Sequence, residues 1–116
     1  MPEAFEQDMP DDRASDSRAS DSRANAVRLL KAMANEHRLN ILCALRTGET
    51  SVSQLCDRLP LSQSAMSQHL AWLRNEHLVT CRREAQCMLY RLSDDRAAAV
   101  IELLSRLYGP VSDEIH

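Results

Sequence analysis

Phe, Tyr and Trp together make up only 3% of the 116 residues, so any core must be assembled mostly from Leu, Ile, Val, Met and Ala. Two glycines in the whole chain leave no Gly-rich phosphate loop. Paired carboxylates with a plausible cleft are missing, as is a nucleophile beside an evident base. The chain is therefore read as a non-enzyme with no catalytic residues. No apolar run approaches the ~18 to 20 residues that cross a bilayer, and the acidic, Ser-rich N-terminus has no basic and apolar leader. Both absences point to a cytoplasmic protein away from membranes. The four cysteines, Cys43, Cys56, Cys81 and Cys87, lack CxxC spacing and nearby histidines. They are expected as reduced thiols, with no metal and no cofactor.

What is present is unevenly spread. The net charge of −3 divides into −5 over residues 1–22, +4 over residues 23–110 and −2 over the last six. A mildly basic body between acidic ends is compatible with a nucleic-acid partner, which the total alone would argue against. Residues 1–22 repeat Arg-Ala-Ser-Asp-Ser twice and hold almost no large apolar side chains, so they are expected as a disordered tail. Residues 23–110 form the predicted domain, and 111–116 a short second tail.

The stretch from Leu61 to Leu78 organises that domain. Met66, Leu70 and Leu73 recur at spacings of four and three, the signature of a helix with one buried side. The other side carries Ser64, Ser67, Gln68, Ala71 and Asn75, short and uncharged. Ser62 is placed to cap the start, with Leu61 to pack on Met66, and the helix is expected to end near His77. An ordinary solvated helix more often carries salt-linked Glu and Lys. Short donors and acceptors suit base edges in a major groove. By itself the face could also be a polar surface.

The neighbours add to this. Val27, Leu30 and Met33 mark a first helix over Ala24–Ala34, and Leu39, Leu42 and Cys43 a second over Glu36–Arg46, stopped by Thr47-Gly48. Ser51 and Gln54 form a capping box before Val52, Leu55, Cys56 and Leu59, a short third helix closed by Pro60. A tight link then leads to the Leu61–Leu78 helix, the helix-turn-helix order. Val79–Arg83 and Cys87–Leu92 read as strands around Glu84-Ala85-Gln86. A hairpin in that place is a wing, with Arg82, Arg83 and Gln86 near its tip, although a solvated charged hairpin would read the same. A Cys81–Cys87 disulfide across it, with a three-residue loop, would join positions set wider than a disulfide prefers. Ser93-Asp94-Asp95 caps a last helix with Val100, Leu103, Leu104 and Leu107 on one side. The fold class expected is mainly α with a small β-hairpin, a winged helix-turn-helix in the order α-α-α-α-β-β-α. The first and last helices have apolar surface to spare for a second copy, so a two-fold homodimer is expected through them.

The phrases Ala32-Met33-Ala34-Asn35-Glu36-His37-Arg38-Leu39-Asn40-Ile41-Leu42, Leu61-Ser62-Gln63-Ser64-Ala65-Met66-Ser67-Gln68-His69-Leu70 and Arg82-Arg83-Glu84-Ala85-Gln86 resemble the ArsR/SmtB family of small bacterial winged-helix repressors. The resemblance covers roughly residues 24–110. It implies a homodimer on double-stranded operator DNA, with Gln63, Ser64, Ser67, Gln68 and His69 reading bases while Arg82, Arg83 and Gln86 hold the backbone or minor groove. The family's metal sites are not reproduced. Where arsenic-sensing members carry three thiols, the chain reads Ser51-Val52-Ser53-Gln54-Leu55-Cys56, and the zinc-sensing histidines are absent from the last helix. The sulfide-responsive branch pairs two thiols. Cys43 matches the first, a possible redox residue, and Gly109 stands at the second, as in a nodulation regulator resembling this branch. A winged-helix module that binds protein instead of DNA, and a persulfide-responsive repressor using Cys43, are the alternatives.

Overall fold

The computed structural model describes the backbone of residues 14–109 and the side chains of residues 21–109. In chain order the elements are α1 (Ala14–Met33), α2 (Glu36–Arg46), β1 (Thr50–Ser51), α3 (Val52–Arg58), α4 (Gln63–Asn75), β2 (Val79–Glu84), β3 (Cys87–Leu92) and α5 (Asp95–Tyr108). The chain divides into two units, Met1–Lys31 and Ala32–His116.

The first helix starts at Ala14, ten residues before the expected Ala24, so it takes in residues 14–22 of the expected tail. Ala14, Ala19, Ala24, Arg18 and Arg23 are good helix formers, and intrinsic propensity carries the helix through a stretch with no apolar stripe. Residues 1–13 of the expected tail, and all of 111–116, lie outside the described residues.

In the second unit the core is aliphatic, as the shortage of aromatics requires. Ile41, Leu42 and Leu45 of α2, Leu55 of α3, Met66, Leu70 and Leu73 of α4, and Ile101 of α5 are all 2% exposed or less. Each such side chain contributes roughly 1.5–3 kcal/mol by leaving water. The caps fix where the helices begin. The Asn35 side chain accepts from the Arg38 amide at 3.0 Å, Ser51 Oγ from the Gln54 amide at 3.1 Å, and Ser62 Oγ from the Ala65 amide at 3.1 Å. At α5 the Asp94 carboxylate accepts from the Arg96 and Ala97 amides at 2.8 and 3.2 Å. Each satisfies N–H groups that no helical carbonyl can reach.

The sheet has three antiparallel strands in the order β1-β3-β2, where the sequence predicted a two-stranded hairpin. The added strand is Thr50–Ser51, paired with Tyr90 and Leu89. Ser51 also caps α3, so the ladder that holds the wing and the first turn of the helix-turn-helix share one residue.

The candidate nucleic-acid interface

Helix α4 separates its two sides as the spacing predicts. Met66, Leu70 and Leu73 are fully buried, and Gln63, Ser64, Ser67, Gln68, Ala71 and Asn75 are exposed. Arg74 is its only charged residue. The exposed row therefore has hydroxyls, carboxamides and a methyl group, with the exposed Arg74 near its C-terminal end as its one charge. Helix α3 packs behind α4 across the four-residue link Leu59–Ser62, with Leu59 and Leu55 in the core. This is a helix-turn-helix in which the first helix braces the second.

Helix α4 ends in a Schellman turn. The Leu78 amide donates to the Leu73 carbonyl and the His77 amide to the Arg74 carbonyl, each at 3.0 Å, with His77 left-handed at φ 64°. Leu78, 3% exposed, packs inward and starts the run into β2. The direction in which the wing leaves α4 is set there.

His69 departs from the expected reading row. It is half-buried and turned toward α2, with its ring 5.7 Å from that of His37. Burial lowers its pKa below the ordinary value of 6.5, and the nearby His37 and Arg38 lower it further. A neutral imidazole is favoured there. Arg38 lies with its guanidinium 4.2 Å above the Trp72 ring, and its Nε donates to the Ala32 carbonyl at 2.9 Å. These residues join the start of α2 to the middle of α4, a junction that sequence reading missed because its members are 32 and 34 positions apart.

The wing pairs Glu84 with Cys87, leaving a two-residue turn, Ala85-Gln86. Ala85 takes a left-handed φ of 57°, the position that a two-residue hairpin turn usually gives to Gly. The expected three-residue loop is thus shortened by one, and the register follows from this. Cys81 faces Tyr90 and Cys87 faces Glu84, so the two thiols are not cross-strand neighbours. None of the four cysteines is in a disulfide. Cys43, 5% exposed, sits among the core side chains of α2, and position 109 supplies no second thiol.

Arg83 and Gln86 are exposed at the wing's outer end. Arg82 is differently placed. Its Nε donates to Glu49 Oε2 at 2.8 Å and its Nη2 to Glu49 Oε1 at 2.9 Å, with a third bond to Glu84 Oε1 at 3.1 Å. The Arg82 guanidinium holds the Glu49 carboxyl below its ordinary range, and the carboxylates raise Arg82 in turn.

Residues 35–80, the span from the α2 cap into β2, match the model of the bacterial regulatory protein arsR family. The chain is 63% identical over 83 residues to the transcriptional activator HlyU of Vibrio cholerae, covering 72% of this chain and 77% of that one. The chain belongs to the ArsR family. Within the family it is 43% identical over 90 residues to the nodulation protein NolR of Rhizobium meliloti, covering 78% and 74%. The expected likeness to a nodulation regulator is present, and HlyU exceeds it. The solved structure of reduced HlyU from Vibrio cholerae superposes with a TM-score of 0.74 at 58% identity, over 79% of this chain and 97% of that one. This ArsR-family chain is a DNA-binding transcriptional regulator with a winged helix-turn-helix fold. No described helix is long and apolar enough to cross a membrane.

Proposed function

We propose that this ArsR-family regulator binds operator DNA as a homodimer and represses by occupying it. Gln63, Ser64, Ser67 and Gln68 enter a major groove from each copy, and Arg83 and Gln86 of each wing hold the flanking backbone or minor groove. His69 acts from behind, on α2, rather than on a base. The observation that carries the reading is the division of α4 into a fully buried Met66-Leu70-Leu73 side and an exposed polar one whose single charge is Arg74. Glutamine can pair with adenine through two hydrogen bonds, and serine can donate or accept.

Dimerisation is supported by apolar side chains left in water. On α5, Ala97 and Ile101 are buried while Leu103, Leu107 and Tyr108 are 48%, 64% and 81% exposed. On α1, Val27 and Leu30 are 42% and 58% exposed. Helices with a second apolar side of this kind fit a symmetric interface made by two copies.

The test is selection of bound duplexes from a random-sequence pool, followed by titration of the enriched duplex at several salt concentrations. A half-site pair about one helical turn apart is expected. Gln68→Ala should reduce discrimination between the enriched duplex and one altered at a contacted base by ~1–3 kcal/mol. Enrichment of no sequence, with no salt-sensitive shift of any duplex, would instead favour a protein-binding module. Transcription from a promoter overlapping the enriched site gives the sign of regulation.

A further inference from the structure

We propose that Glu49 positions the wing by holding Arg82 against the turn between α2 and β1, so that Arg82 is a strut rather than a DNA contact. This rests on the DNA-binding reading above and assigns a role within it. Glu49 lies in the turn between α2 and β1, 33 residues from Arg82, and takes the guanidinium fork on both carboxylate oxygens. Glu84 takes a further N–H. The guanidinium is thus committed to two carboxylates, and Arg91 also lies close enough to act on Glu49. Side chains alternate along β2, so Arg83 points to the other side from Arg82. Arg83 is exposed and has no ion-pair partner among the described residues. It is an arginine near the wing tip that is available to a phosphate.

The strut sits where the wing needs one. Arg82 faces Leu89 across the hairpin, and Leu89 pairs on its other side with Ser51 of β1. That row is the last with three strands. Beyond it only Arg83–Met88 and Glu84–Cys87 remain, a two-stranded ribbon of a kind that is marginal unaided. Exposed single-contact ion pairs contribute little to stability, and bidentate Arg–carboxylate geometry is the exception because it fixes direction as well as distance. Glu49 is thereby a positioning residue, acting on the wing's angle through Arg82.

Two measurements on the full chain test this. Amide exchange of the wing segment 83–88 should quicken severalfold in Glu49→Gln and in Arg82→Gln, and equally in Arg82→Lys, because lysine keeps the charge but cannot supply the fork. Binding of the duplex enriched from the random pool should keep its salt slope in Arg82→Gln, whereas Arg83→Gln should lower the slope by about 0.9, one phosphate contact. Two results would overturn the proposal. One is unchanged wing exchange in Glu49→Gln and Arg82→Gln; the other is a slope lowered by about 0.9 in Arg82→Gln and restored in Arg82→Lys. If the unaltered protein retains no duplex, the DNA-binding reading fails, and the exchange measurement still decides whether the strut exists.

Discussion

His77 spends conformational energy to turn the chain. Its φ of 64° lies in the left-handed region, where a residue with a Cβ is strained by roughly 1–2 kcal/mol and glycine is not. Its backbone does the necessary work, since its amide closes onto the Arg74 carbonyl and its carbonyl accepts from Ser93 Oγ at 3.3 Å. His77→Gly keeps both bonds and should stabilise the fold by about 1 kcal/mol, read as a higher denaturation midpoint with unchanged cooperativity. A lower midpoint would mean that the imidazole makes a stabilising contact. At this scale the sequence was legible wherever a side chain bonds its own neighbourhood. The Ser51–Gln54 box forms with both reciprocal bonds, the Ser51 amide donating to Gln54 Oε1 at 3.0 Å. Ser62 caps α4 as its place before an amphipathic run requires. Ala85 was not legible as a turn residue, because alanine is no turn signal and is held left-handed there by the register of the strands around it.

The elements follow the same division. Helix α2 runs from Glu36 to Arg46 as its stripe and caps predict, and the recognition helix is bounded by Ser62 and the turn at His77. Strand β1 escaped notice because two residues carry no period, and α1 begins early because propensity alone, without a stripe, extends it. The bond of Arg82 to Glu49 escaped the sequence reading because a carboxylate 33 residues distant cannot be read from local pattern. Between α2 and α4 the burial of His69, with His37 beside it, gives a pH dependence whose sign can be worked out. His69 has a folded pKa below 6.5. As pH falls through 6.5 the unfolded chain takes up the proton first, so stability is full above that value and declines below it until the folded imidazole is also protonated. Denaturation midpoints between ~pH 5 and ~7.5 should show this decline, flattened in His69→Gln and lessened in His37→Gln. An equal slope in all three proteins would remove the junction as its cause.

For the molecule as a whole, the question is what covers the exposed apolar side chains of α5. Leu103 and Leu107 are one turn apart on α5 and face away from the side that buries Ala97 and Ile101. Leu107→Glu puts a charge on that surface without entering the core. It should convert a dimer to a monomer in sedimentation velocity, with helix content retained. It should also weaken operator binding far more than binding to a single half-site, since two linked reading helices gain from effective concentration. A sedimentation coefficient that does not move would place the interface elsewhere.

Trp72 is the chain's one indole, 38% exposed on the helix proposed to read DNA, with a guanidinium from α2 resting on its ring. A duplex closing over that helix must exclude water from the ring's open edge or disturb the cation that covers it. Operator engagement can then be followed by the ring's own emission, in solution and without an attached dye.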